Sequence, residues 1–239
     1  MFLPDIPTAP SGVEECLQSW FQQFLSRPPT AGVFEVEAKL GRFVDKSSGG
    51  RISLPVYSET VLNESSSWYR FESDIPIALH RHFNNLLNSE VSKKRLTYKH
   101  TRTVDNIYRG GGMSKCRVTV DEKGDFVECI EKRRVADMAI FFPNAPFDIR
   151  ISINEEVPMA KPTGSPSMDR RKDRLSYVLA KDETSTLQVD LTQVRQSGET
   201  SARHELEMEF LNPQYLASSP KSVSGFYAAI RNIVRATAI

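Results

Sequence analysis

Apolar residues recur at helical spacing in three stretches of the chain. Val13, Cys16, Leu17, Trp20, Phe21, Phe24 and Leu25 follow a Ser11-x-x-Glu14 capping pattern and stop before Pro28-Pro29, which predicts a helix over 11–27. A second helix is predicted over 74–94, with Pro76 in its first turn and Leu79, Phe83, Leu86 and Leu87 on one face. A third is predicted over 223–238 from Phe226, Tyr227, Ile230, Ile233 and Val234. Residues 1–10, with three prolines, read as an irregular arm. Elsewhere the period drops to two. Strands are expected at 33–42, 66–72, 95–108, 114–121, 126–136, 148–157, 170–180, 186–194 and 202–211. Gly49-Gly50, Gly110–Gly112, Asp121–Gly124 and Ser197-Gly198 punctuate them, and 158–167 reads as a loop rich in Pro, Gly and Ser. Many short strands with few helices predict an α+β, mainly β chain. Its antiparallel sheet is expected to close into a barrel, as a single domain over 1–239 without internal repeats.

Residues on a strand alternate between its faces, and here the polar face is unusual. Glu35, Glu37 and Lys39 oppose Val36, Ala38 and Leu40, while Glu205, Glu207 and Glu209 oppose Leu206, Met208 and Phe210. Lys115 and Arg117 share a face, as do Arg170, Lys172 and Arg174, and Arg150, Ser152, Asn154 and Glu156; Asp190 and Thr192 oppose Val189 and Leu191. An ordinary half-solvated sheet would mix signs along each face, because carboxylates at i, i+2 and i+4 lie about 7 Å apart and repel. Here acid and base are concentrated on different strands. If these faces converge inside a barrel, Glu35, Glu37, Glu156, Asp190, Glu205, Glu207 and Glu209 meet Lys39, Arg117, Lys132, Arg150, Arg170, Lys172 and Arg174. That is seven charges of each sign, neutral in sum and separated into walls. The acidic wall asks for a hard divalent cation, Mn²⁺ or Mg²⁺, and the basic wall for a polyphosphate.

Composition excludes alternatives without adding a function. The 239 residues carry 31 Lys+Arg against 30 Asp+Glu, a formal net charge of +1, which argues against a generally basic coat protein or an acidic tail. No apolar run approaches the roughly 18 residues of a membrane span, so no membrane partner is expected. Cys16, Cys116 and Cys129 lack CxxC spacing and suggest a reducing, intracellular setting without a zinc site. No signal-peptide pattern opens the chain. His80, His82, His100 and His204 are scattered, Cys116 and Cys129 read as core, and Lys93-Lys94-Arg95 reads as a solvated helix end.

Glu35-x-Glu37 near the start and Glu205-x-Glu207-x-Glu209 near the end resemble the paired glutamate strands of the triphosphate tunnel metalloenzymes. Between them SKCRVTVD, IEKRRVADM, DIRISINEE, RRKDRLSY and QVDLTQV resemble, in order, the motifs of fungal-type mRNA-capping RNA 5′-triphosphatases, over roughly residues 30–211. The resemblance implies a closed eight-stranded antiparallel barrel with helices packed outside. It also implies metal-dependent hydrolysis of the γ-phosphate of 5′-triphosphate RNA, with nucleoside triphosphates as further substrates. Glu35, Glu37 and Glu209 match direct metal ligands, and Asp190 and Glu207 match carboxylates holding metal-bound waters. Arg117, Lys132, Arg150, Lys172 and Arg174 match triphosphate-facing cations, and Glu156 the group orienting the attacking water. Arg170 supports the phosphate-binding wall; Lys39, Thr192 and Glu205 match tunnel support. Gln188 stands where some relatives carry Arg, which removes a cation, and Arg150 occupies a position that can be Lys.

The resemblance further implies a nuclear location and a capping guanylyltransferase or the transcription machinery as partner. A homodimer is expected from the same source, and also because three helices leave much of an apolar barrel exterior uncovered. The alternatives are an inorganic tripolyphosphatase or polyphosphate polymerase with the same tunnel, and a non-catalytic RNA-binding β-domain whose charged faces are merely wet.

Overall fold

Val36, Ala38 and Leu40 face outward and pair with Ile153, Ile151 and Ile149 on one neighbour, and Val36 and Ala38 with Phe210 and Met208 on the other, so the apolar alternation of three strands comes into register on one surface. A computed structural model of the protein describes residues 12–63, 67–109, 115–179, 184 and 186–238. The expected arm at 1–10, the Ser11 cap and the Gly110–Gly112 turn lie outside the described residues. The chain runs α1 (Gly12–Leu25), β1 (Val33–Asp45), β2 (Thr60–Leu62), β3 (Tyr69–Glu72), α2 (Ile77–Ser92), β4 (Thr97–Tyr108), β5 (Cys116–Asp121) and β6 (Phe126–Phe141). It continues through β7 (Asp148–Pro158), β8 (Met168–Leu179), β9 (Leu187–Gln196), β10 (Arg203–Phe210), α3 (Gln214–Ser218) and α4 (Pro220–Arg235).

Eight strands close on themselves in the order β1-β10-β9-β8-β4-β5-β6-β7 and back to β1, every pairing antiparallel. The short β2 pairs with β6, and β3 with the far end of β1. The expected closed eight-stranded barrel is therefore present, with two accessory strands. Leu17 and Phe21 of α1, Leu79 and Phe83 of α2, Leu216 of α3, and Phe226 and Ile230 of α4 are buried in one cluster with the outward strand residues. Each such side chain contributes about 1.5–3 kcal/mol of transfer free energy. The hydrophobic core thus lies between barrel wall and helices, and the lumen is left to the charges. Those four helices cover much of the apolar outer surface, while Tyr98, Phe126 and Val135 on the strands and Ile77 and Leu86 on α2 stay exposed.

Three differences from the expected elements have physical causes. β6 extends beyond residue 136 to Phe141 because a bulge at Val135 resets its alternation. Lys132 and Arg134 face the lumen before it, and Asp137 reaches Ser152 after it, so period two is broken in the sequence but not in space. β2 is three residues and α3 five, too short for a period to show. α4 begins at Pro220, earlier than expected, with Ser219 as N-cap accepting from the Ser222 N–H at 3.2 Å.

Beyond Lys39, β1 leaves β10 and takes β3 as partner, and Phe43, Ile52, Ala139 and Phe141 form a second apolar cluster with Phe71 packed against it. Gly41 permits this crossing. A Cβ there would lie 2.3 Å from the Glu72 carbonyl oxygen and 2.5 Å from Phe71 Cζ. Gly41→Ala is expected to cost about 1–3 kcal/mol, read as a lower urea midpoint with unchanged m-value; an unchanged midpoint would show that β3 can move away freely.

Candidate active site

The inward faces of the eight barrel strands enclose a cavity of about 640 Å³. Glu35, Glu37, Lys39, Arg117, Lys132, Glu156, Arg170, Lys172, Arg174, Asp190, Glu205, Glu207 and Glu209 all line it. Two expected residues do not. Arg150 stacks its guanidinium 4.8 Å from the Phe71 ring centre, with Nε 3.9 Å from Asp137, while Arg134 takes a place in the lining. Its strand position opposite Lys39 still puts it on the inward face, where Glu37 and Glu207 act on its charge, while the β3 crossing at Gly41 supplies the aromatic face on which it rests. Thr192 is buried on β9 at 1% exposure, and its hydroxyl oxygen has no partner among the described residues.

On the acidic side, Lys132 forms an ion pair with Glu35 and lies 3.4 Å from Glu37. Asn154, opposite Glu35 on β7, donates to Glu35 at 2.8 Å and to Glu37 at 3.4 Å. Lys39 pairs with Glu207; burial opposes its charge, but Glu207, Glu37 and Glu205 raise its pKa. Glu207 is held well below the usual carboxylate range, because Lys39 and Arg174 outweigh its burial. Glu209 is the opposite case. It makes no hydrogen bond or ion pair among the described residues, and burial followed by Glu35, Asp190 and Glu156 pushes its carboxyl up to about 8. Asp190 is also raised, by burial, although Arg174 stands 3.4 Å away and Gln188 donates to it at 3.2 Å. Gln188 thus supports an acid where a cation was expected to be missing.

On the basic side the organising group is Asp105, which the sequence reading missed. It is 1% exposed and bridges Lys172 at 2.7 Å and Arg170 at 3.2 Å, and it accepts from the Thr119 hydroxyl at 3.0 Å. Burial opposes its charge, yet Lys172, Arg117 and Arg170 hold its pKa below the ordinary value. The signal was present: Thr101, Thr103, Asp105 and Ile107 alternate inward on β4. Arg117 reaches Glu128 at 2.9 Å and Glu156 at 3.6 Å. Burial, then Glu35, raises the Glu156 carboxyl.

The remaining expectations fall outside the cavity. Lys93 and Arg95 pair with Glu90 at an exposed helix end. The His80 ring meets that of His204 at 5.1 Å, and burial and then His204 bring His80 down to about 4. Cys129 is buried, with its Sγ 3.0 Å from that of Cys116. Among the described residues no three carboxylates, imidazoles or thiols converge closely enough to hold an ion as they stand. The Lys132 ammonium occupies the place beside Glu35 and Glu37 that a cation would take.

The sequence pattern of the family described as "mRNA capping enzyme, beta chain" matches residues 8–229. The mRNA-capping enzyme subunit beta of Schizosaccharomyces pombe is 36% identical over 211 residues, covering 82% of this chain and 68% of that protein. The Cryptococcus neoformans subunit is 33% identical over 220 residues, covering 84% of this chain and 54% of its own, so this chain spans 54% and 68% of the length of those two relatives. Among solved structures, S. pombe Pct1 RNA triphosphatase superposes with a TM-score of 0.84 at 32% identity, covering 98% of this chain and 99% of that one. The same protein in complex with the Spt5 CTD gives 0.85 at 33%, covering 96% of each.

Proposed function

This chain belongs to the mRNA capping enzyme beta-chain family, and from that premise we propose that it removes the γ-phosphate from the 5′-triphosphate end of nascent mRNA, the first step of cap formation. One observation carries the reading: a cluster of carboxylates and a wall of cations face each other across a single cavity. A wet, non-catalytic sheet would not bury Glu37 and Asp105 at 4% and 1% exposure.

The donor set of Glu35, Glu37 and Glu209 is all oxygen, which fits a hard divalent ion, Mg²⁺ or Mn²⁺. Asp190 Oδ1, buried without a partner, fits a role in holding the ion's water. When bound there, such an ion neutralises charge on the γ-phosphate and orients it. Lys132 would leave Glu35 and Glu37 and donate to phosphate oxygens, joined by Arg117, Lys172 and Arg174. Glu207 stays ionised and holds Lys39 and Arg174 in place. Glu156 orients the attacking water in line with the leaving diphosphate, accepting a hydrogen bond from it. No Ser or Cys nucleophile is required, because phosphoryl transfer depends on positioning and electrostatics. Arg150, on the inward face opposite Lys39, is a further cation for the triphosphate, its guanidinium resting beside Asp137 and the Phe71 ring. By likeness to the S. pombe protein solved with the Spt5 CTD, we place the chain beside the transcription machinery in the nucleus, handing diphosphate RNA to a capping guanylyltransferase. A homodimer is proposed from the family alone and is read by sedimentation.

The test is γ-phosphate release from 5′-triphosphate RNA, ATP and tripolyphosphate with Mg²⁺, Mn²⁺ or EDTA. Metal-dependent release from RNA supports the reading. Cleavage of tripolyphosphate alone would keep the tunnel and replace the substrate, and no release from any of them would overturn the enzyme.

A further inference from the structure

At one end of the tunnel two cations stand without an acid of their own among the described residues. On β4, Ile107 stands opposite Arg117 and Met168, and Tyr108 opposite Cys116, so Arg109, Lys115 and Arg170 share one rim. Arg170 is answered by Asp105, whereas Arg109 and Lys115 are exposed and make no ion pair among the described residues. They feel one another: burial, then Arg170 and Arg109, hold the Lys115 ammonium below its ordinary value. The acids gather elsewhere, around Glu209.

A second unpaired pair of cations lies on the outer face of the same wall, beyond Asp169 on β8. Arg171 points away from the lumen and stands opposite Arg195 on β9. Both are exposed, and neither makes an ion pair among the described residues. Like charges directly opposite on a sheet repel, so this pair weakens the fold unless an anion lies across it. The two arginines line an outer depression of about 500 Å³, where Arg102 is already answered by Asp173 and Glu122. Thr103 and Lys172 contribute to both this depression and the tunnel, so the two are back to back through one wall. Phosphodiester oxygens are the chemistry that suits an unpaired guanidinium row of this kind, and they are contacted without regard to base sequence.

We propose that the body of the RNA leaves the tunnel past Arg109 and Lys115 and lays its first phosphodiesters on Arg171 and Arg195, so that the 5′ end enters from this rim with its γ-phosphate leading towards Glu35, Glu37 and Glu209. The inference rests on the RNA triphosphatase reading above. It assigns the tunnel a direction and gives RNA a foothold that mononucleotides and inorganic polyphosphates do not use.

The test compares wild type with an Arg171→Gln/Arg195→Gln double variant, neither residue lying in the tunnel. For a 5′-triphosphate oligoribonucleotide, KM is expected to rise about tenfold and the slope of log KM against log salt to fall by about 1.4, two phosphates at about 0.7 each. ATP and tripolyphosphate hydrolysis should keep both kcat and KM. An unchanged RNA KM and salt slope, or an equal loss on RNA and ATP, would overturn the path. In wild type, 4-thiouridine near the RNA 5′ end should cross-link to β8 and β9 peptides, a readout independent of how the variant folds; labelling confined to other strands would also overturn it. Wild-type protein inactive on triphosphate RNA sinks the RNA reading and the path together, whereas wild-type turnover with an unaffected variant sinks the path alone.

Discussion

Glu209→Gln is expected to abolish metal-dependent γ-phosphate release, lowering kcat at least about a hundredfold, while making the metal-free protein more stable. The two effects share one cause. Glu209 is buried beside Glu35, Asp190 and Glu156 with no partner of its own, so its charge is unfavourable until a cation arrives, and its carboxyl is pushed up to about 8. An ordinary glutamate in the unfolded chain has lost its proton above about 4.5. Between those values the folded state binds a proton that the unfolded state has released, so this residue's contribution to stability declines as pH rises through the window. Wild type and Glu209→Gln should therefore melt together below about pH 4.5 and diverge progressively up to about pH 8, with the variant the more stable. Adding Mn²⁺ or Mg²⁺ at pH 8 should reverse the order, because the ion stabilises the state that binds it. Melting curves with and without metal across this range check the prediction. A variant that retains turnover, or one that is less stable without metal, would show that Glu209 is not part of an ion-binding acid cluster.

How much was legible beforehand depended on period. The acid and base faces of β1, β8 and β10 could be read because alternation is strict there, and the same alternation put Val36, Ala38 and Leu40 outside. What failed did so where local pattern is cut or absent. The Val135 bulge hid the end of β6, and the brevity of β2 and α3 left no period. The Phe71 ring beside Arg150 was equally hidden, since nothing local shows that a residue distant in sequence crosses over Gly41 and stacks on it. Asp105 was hidden differently. It sits among threonines on a strand that turns no other charge into the cavity, and its importance appears only when β8 brings Arg170 opposite it.

That placement makes Asp105 the residue whose loss should cost the fold most among the cavity groups. Removing one member of a buried charge cluster leaves the others uncompensated, at about 3–5 kcal/mol. In a chain of this length that corresponds to roughly 10 °C in Tm. Asp105→Ala would strand Lys172 and Arg170, with Arg117 close by, and leave the Thr119 hydroxyl without its 3.0 Å acceptor. Asp105→Asn keeps the volume and one acceptor oxygen but turns an amide NH₂ towards cations, so it should recover only part of the loss. A purely structural role predicts nothing more. A positioning role predicts that inorganic phosphate or tripolyphosphate raises the Tm of Asp105→Ala by more than it raises that of wild type, since an anion in the tunnel takes over the missing charge. It also predicts a fall in kcat for triphosphate RNA greater than any rise in KM, because Lys172 and Arg170 still bind phosphate once Asp105 is gone but no longer hold it at the distance that Glu156 and Arg117 require. Equal anion stabilisation of variant and wild type, with kcat intact, would return Asp105 to the status of an ordinary buried ion pair.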